Sequence, residues 1–398
     1  MKAQKLLIIQ ERILDTLENR FISPEGVLYD FTGLAGEVIL PTIEECNANK
    51  PNGLGWNTPI SNGGFFNGLT LLALAKIGEK HPSEKVEKIA RILLKGLYVL
   101  QDKSPVAGCI LRGIGKDGSF YPASSNDQVI PFILGLWEYS QSPLAAREEK
   151  EECRNRCYST LKALEKNDWL IPGTREGFAR GRLSCCNPYD NCHMVLAALI
   201  LDEMEPLKEG SRLESLIKER GEKIAEGYPD FPVEHSWFAS HNFYMLRELA
   251  RKTAGSVWEE RFRRAGKLSA EALLRNHALS YWKKHDRHAA FSPDWHALNK
   301  VWFPHTTAQE ADKCAIPQWT IWRETSPAVM NERKSIMFAL SSAWIALFTE
   351  DREFLKGVMP EIEEMLLYLP WEQLYYAPFF FALNVISELY FQEETLLS

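Results

Sequence analysis

No apolar run in this 398-residue sequence approaches the roughly 20 residues a bilayer-crossing helix needs. The greasiest stretch, Phe65 to Ile77, is broken by Asn67 and Lys76. Near the start, only Leu6 to Ile9 are consecutively apolar before Gln10, Glu11 and Arg12, too few for a signal-peptide core, so the stretch reads as an amphipathic helix. Membrane partners are therefore not expected. A Lys/Arg stripe is also lacking: net charge is −7 and the charges are mixed, so the electrostatic footprint of a nucleic-acid partner is missing. There is no HExxH pattern and there are no CxxC pairs, and hence no ground for expecting a metal or a cofactor. The eight cysteines lack small-scaffold spacing, and Cys185 and Cys186 are adjacent, which favours reduced thiols and a cytoplasmic location.

What the sequence does have is helical periodicity. Hydrophobic residues make up 45% and charged residues 25%, enough for a large core under a wet surface. Apolar residues return at steps of three and four, and period-two alternation is scarce, so the expected class is all-α. The pattern predicts helices over 4–20, 62–79, 84–101, 125–140, 145–166, 188–204, 209–226, 236–253, 256–276, 329–348, 352–369 and 376–394.

These twelve segments form six pairs whose members differ in kind. The second-type helices, such as GFFNGLTLLALAKIG and SIMFALSSAWIALF, are apolar on nearly every side, as helices buried all round must be. Their partners, such as PSEKVEKIARILLKGL, carry one apolar stripe and one charged face. The expected architecture is one (α/α)6 toroid spanning 1–398, with inner and outer rings. Long links at 21–61, 103–124 and 277–328 would gather at one end, the last as a loop insertion, and loops of that length usually carry function. A weak repeat supports the pairing: Ser61-Asn62, Ser125-Asn126 and Asp190-Asn191 each precede an apolar helix, at spacings of 64 and 65 residues.

The candidate chemistry sits at those helix starts. In SFYPASSNDQVIPFILGLW, Ser125 and Gln128 have capping-box spacing, with Asn126 and Asp127 between them at the pocket mouth. A first-turn carboxylate is stabilised by the helix dipole, so Asp127 suits a base or nucleophile. Glycoside cleavage needs a second carboxyl group, for which Asp190, Glu234, Asp294 and Glu324 are candidates. Asp190 also reads as an N-cap, Glu234 as a loop acid and Glu324 as a partner of Arg323. Sugar rings present apolar faces to aromatic side chains while their hydroxyls seek polar groups. Trp56, Tyr121, Trp237, Trp295, Trp302, Trp319, Trp322 and Trp371 fall in the long links or at inner-helix starts, and about half are expected to line a pocket. Polar substrate contacts are expected from Asn62, Asn126, Asn191, His193 and His235. Arg112, Arg175, Arg180 and Arg182 could clamp a sugar carboxylate. His235 and His241 bracket the fourth inner-helix start and are candidates for acid/base duty, whereas five of the nine histidines fall between His277 and His305.

With these residues, the chain resembles the six-hairpin glycosidase superfamily, and within it the unsaturated glucuronyl and rhamnogalacturonyl hydrolases. Asp127-Gln128-Val129-Ile130-Pro131 is similar to the inner-helix opening whose aspartate initiates hydration of an unsaturated uronic sugar in that family. Asn62, in Ser61-Asn62-Gly63-Gly64-Phe65, stands where the family has a second aspartate. The resemblance implies a glycoside hydrolase acting on oligosaccharides, those containing uronic acid among them. A sugar epimerase of the acylglucosamine type, using His235, His241 and His288, is the runner-up. A polysaccharide lyase using Tyr121, Asn126 and Arg112 follows, and a non-catalytic glycan-binding toroid is the alternative of a different class.

Overall fold

The computed structural model describes residues 3–185, 187, 190–227, 230–376 and 379–397. Among them the chain is all-helical: no β-strand occurs, and only three isolated bridges are present. The first helices are α1 (Ala3–Thr16), α2 (Ile43–Asn47), α3 (Gly63–Lys80), α4 (Glu84–Asp102), α5 (Asn126–Gln141), α6 (Arg147–Lys166), α7 (His193–Met204) and α8 (Arg212–Ile224). They are followed by α9 (Ser236–Lys252), α10 (Val257–Arg275), α11 (Ala308–Thr325), α12 (Pro327–Glu332), α13 (Phe338–Leu347), α14 (Arg352–Tyr368) and α15 (Phe379–Leu397). No helix among the described residues is long and apolar enough to cross a membrane.

The two kinds of helix seen in the sequence differ in burial. Every residue of α13 is buried, and so is almost every residue of α3 from Gly63 to Gly78. By contrast, α4 buries Val86, Ile89, Ala90, Leu93, Leu94, Leu97 and Leu100, one stripe at helical spacing. Ser83 starts that helix by accepting from the Val86 amide, and Ser211, Ser256 and Asp351 start α8, α10 and α14 in the same way. Each buried helix packs on its sequence neighbour: α3 on α4, α5 on α6, α7 on α8, α9 on α10 and α13 on α14. Among the buried helices, α3 packs on α5 and α15, α7 on α5 and α9, and α13 on α9 and α15, while α1 lies against α15.

Helix α3 meets α5 at a glycine-to-glycine crossing. A Cβ on Gly68 would lie 2.1 Å from the Pro131 carbonyl oxygen, and one on Gly135 would lie 2.4 Å from the Gly68 oxygen. The backbones touch because neither residue has a side chain. Gly68→Ala is therefore expected to destabilise the protein by about 1–3 kcal/mol through overpacking, read as a lower thermal midpoint. An unchanged midpoint would show that the two helices can move apart freely.

Several boundaries depart from the sequence pattern. The 277–328 insertion is not a loop: it holds α11 and 3-10 turns at Ala278–Lys284 and Trp295–Val301. Helix α11 begins in a capping box between Thr307 and Glu310 and keeps its course past Pro317. The capping box expected at Ser125 and Gln128 is not made, because the Ser125 hydroxyl donates to Asp127 and Gln128 reaches across to α3. Asp190 is not an N-cap: α7 starts at His193 and Cys192 occupies the cap position. Cys186, adjacent to Cys185 in sequence, lies outside the described residues. The helix formed by α12 and α13 passes through a π-helical turn, Arg333–Met337.

Candidate active site

The starts of α3, α5 and α7 converge through their own polar side chains. The Gln128 Nε2 donates to Asn62 Oδ1 at 3.2 Å, and its Oε1 accepts from the Phe65 amide. Asn126 Nδ2 donates to Asp190 Oδ2 at 3.0 Å. Gly181, at φ +86°, lets the loop before α7 close on Asn126, since a Cβ there would sit 2.3 Å from Asn126 Oδ1.

Beside these starts lies a cavity of about 250 Å³ lined by Trp56, Asn126, Asp127, Arg180, Asp190, His193, Trp237, Phe238 and His241. Phe65, edge-on to both Trp237 and His241, lies beneath. Thus three of the expected catalytic residues, Asp127, Asp190 and His241, and four of the expected binding residues, Trp56, Asn126, His193 and Trp237, share one space.

The two carboxyl groups are tuned in opposite directions. Burial alone would raise Asp127, but the Arg112 guanidinium, the Ser125 hydroxyl and Arg180 overcome it and hold the group below the ordinary aspartate value. Arg112 is fully buried, donates to the Ser61 carbonyl and to Ser125 Oγ, and so backs the Ser125–Asp127 hydrogen bond with charge. Asp190 goes the other way: burial pushes it up, with the nearby Asp127 charge adding to the effect, against hydrogen bonds from Asn187 and Asn126 and the proximity of His241.

His193 and His241 stack face to face, with ring centroids 5.7 Å apart and planes 4° from parallel. Both are about 1% exposed, and none of their four ring nitrogens makes a hydrogen bond to a described residue. Asp190 Oδ1 lies 3.5 Å from His193 Nε2. Burial drives each imidazole down to about 3, outweighing the attraction of Asp127 for both and of Asp190 for His241. Both rings are therefore neutral across the physiological range, and their NMR resonances are expected not to titrate between about pH 5 and 8, where a free histidine would. A midpoint near 6.5 for either ring would refute the buried, neutral pair. Because the unfolded chain takes up these protons first, the pair makes stability fall as pH drops from about 6.5 towards 3.

The other expected site residues are placed elsewhere, for identifiable reasons. Asn62 is buried behind the cavity, where its amide donates to Asp30 at 2.5 Å and accepts from Gln128. Arg112 lies beneath Asp127 and does not line the cavity. Tyr121 is buried with its hydroxyl on the Lys50 carbonyl, and Trp322 is core, tilted against Phe31. Asn191 is buried with its amide near the Ile224 carbonyl. His235 is half-buried against Phe238, outside the cavity lining. Glu234, Asp294 and Glu324 are all exposed and away from the cavity. Trp295, Trp302 and Trp371 have their indole N–H groups on backbone carbonyls, so they serve packing.

The histidine-rich insertion does not converge on one point. His305 accepts from the Gly53 amide, His296 bridges Asp294 and Glu45, and His285 approaches Glu332. Phe238 lines the cavity without having been singled out from the sequence. Its only signal was its place next to Trp237 at a helix start. The role of Arg112 as an electrostatic support also has no local signature, since Ser125 and Asp127 reach it only through folding.

No protein-family model matches the chain, and no curated protein is similar enough to count as a relative.

Proposed function

We propose that this chain is a glycoside hydrolase built as an (α/α)6 toroid, acting on a sugar unit held in the 250 Å³ cavity. The observation that carries the reading is the carboxyl pair. Two acids at one cavity with environments that push their charge states apart are the arrangement acid/base glycoside cleavage requires. Asp127, held ionised, acts as base or nucleophile. Asp190, biased towards its protonated form, donates a proton to the leaving oxygen. Trp56, Trp237 and Phe238 provide apolar surface for the sugar ring, and Asn126 positions Asp190. The toroid is supported by the packing order, since α3, α5, α7, α9, α13 and α15 each meet the next and α15 returns to α3.

A direct test incubates the protein with neutral, acidic and unsaturated oligosaccharides while following reducing-end release and the ultraviolet absorbance of enol ethers. Hydrolysis releases reducing ends. Hydration of an unsaturated uronyl unit, the reaction implied by the family resemblance, also removes the absorbance, and a lyase creates it. No new reducing end from any member rejects the proposal.

The stacked histidines favour a second reading, sugar epimerisation. Two neutral imidazoles in one cavity, their nitrogens free of hydrogen bonds to described residues, can remove and return a proton on a bound sugar. In that case, deuterium from solvent enters the sugar carbon without release of a reducing end, and His241→Ala stops the exchange.

A further inference from the structure

Arginines near the cavity are nearly all engaged. Arg112 is held by Ser61 and Ser125, Arg175 by Asn49 and the carbonyls of Cys46 and Asn47, Arg180 by Asp312, and Arg182 by Asp168. Arg333 is different. Its guanidinium lies 4.7 Å from the Trp237 ring centre and 4.9 Å from that of Trp319. Yet its side chain makes no hydrogen bond or ion pair with any described residue. The five N–H donors of the fork are thus without acceptors among the described residues, on a half-buried side chain that solvent reaches.

The place of Arg333 is defined by its neighbours. Trp237 is a wall of the cavity. Trp319, on α11, packs on Trp56 at 6.2 Å, and Trp56 is the facing wall, covered by Arg180. The four groups Trp56, Trp319, Arg333 and Trp237 therefore make a continuous, partly exposed band that starts at both walls and extends beyond the cavity. The cavity is small for more than one sugar unit. Arg333 also opens the π-helical turn, an insertion that re-aims side chains and is frequent at functional sites. An opposite charge near enough to interact with it is Asp30, which is buried and already accepts from Ser61 and Asn62.

From this band we infer that Arg333 and Trp319 form a second sugar subsite just outside the cavity, and that Arg333 pairs there with an anionic substituent, a carboxylate or a sulfate ester. The inference rests on the hydrolase reading for what the cavity itself holds. Two indole rings flank the guanidinium at 4.7 and 4.9 Å and restrict it, and the fork can engage a planar or tetrahedral oxyanion by two parallel hydrogen bonds. Trp319 offers its remaining surface to the face of the same sugar unit.

The test uses gluco- and galacto-configured disaccharides in matched sets: neutral, oxidised to a uronate at the reducing-end unit, and 6-O-sulfated at that unit. Affinities come from tryptophan fluorescence and calorimetry, and bond cleavage is followed in the same samples. The wild-type protein is expected to bind an anionic member about tenfold or more tightly than its neutral counterpart, the scale of one charge-assisted contact. Arg333→Gln should remove that preference while keeping the neutral affinity, and Arg333→Lys should restore only part of it. Whether the uronate or the sulfate is preferred identifies the source of the charge. Equal binding of charged and neutral members, a preference that survives Arg333→Gln, or no binding by any member overturns the inference. Anion preference without cleavage rejects hydrolysis and leaves the subsite standing, whereas cleavage without preference does the reverse.

Discussion

Asp127→Asn is expected to lower the rate of glycoside cleavage by between about a hundredfold and ten-thousandfold while leaving ligand binding intact, the range lost when a positioned acid/base group is removed. The amide keeps an acceptor for Ser125, so the local hydrogen bond survives and the change isolates charge. Asp190→Asn should behave differently. If Asp190 supplies the proton to the leaving oxygen, its loss should be severe for an alkyl glycoside and mild for a nitrophenyl glycoside, whose leaving group needs no protonation. Equal losses on both substrates would remove Asp190 from the acid role. Wild-type turnover by Asp127→Asn would end the two-carboxylate mechanism altogether. Circular dichroism of each variant checks that folding is unaltered.

The largest stability effect is expected far from this chemistry. Arg247, on α9, grips Glu388, on α15, through bonds of 2.5 and 3.1 Å, and Lys76, on α3, adds a third contact at 3.3 Å. All three helices belong to the buried set, and Arg247 and Glu388 are less than a tenth exposed. Glu388→Ala would leave the buried Arg247 charge with only the more exposed Glu248 carboxylate at 3.3 Å, at a cost of up to about 3–5 kcal/mol. Replacing both partners with methionine should be milder, because the buried Arg247 charge leaves with its partner, while Lys76 loses its Glu388 contact and keeps the Tyr244 ring. Chemical denaturation of the three proteins measures this, and equal midpoints for wild type and Glu388→Ala would show the pair to be dispensable. The pair also predicts a pH limb. Against desolvation that would raise it, Arg247 and Lys76 hold Glu388 at about 2, below the usual 4.5. Its contribution is then complete above about pH 4.5 and is lost as pH falls through about 2.

How much of this was legible beforehand varies with the length scale of the cause. The contrast between the one-sided stripe of α4 and the all-round apolarity of α13 is a local pattern, and the observed burial follows it. Asp127, Asn126 and Trp56 stand out in the sequence because polar and aromatic side chains at helix starts and long links leave a compositional trace, and the structure places the three on one cavity. The insertion at 277–328 reads as loop in the sequence because its aromatic and histidine content masks a helix started by Thr307 and Glu310. Glu234 and Glu324 resembled Asp190 in type and setting, and nothing in the sequence distinguishes an acid that faces a cavity from one that faces water.

The sequence by itself determined the helical class, the alternation of fully and half-buried helices, and the presence of carboxylates and aromatics at their starts. These depend on side chains a few residues apart, and the 3.6-residue period writes them into the chain. Only the tertiary structure decided that Asp190 joins Asp127, that Arg112 supports one of them from below, that two histidines lie stacked with Asp190 at 3.5 Å from one of them, and that Arg333 finds no acceptor among the described residues. Charge state and pairing depend on burial and on groups 60 or more positions away in the chain, such as Asn126 and Asp190. No local pattern records such distances.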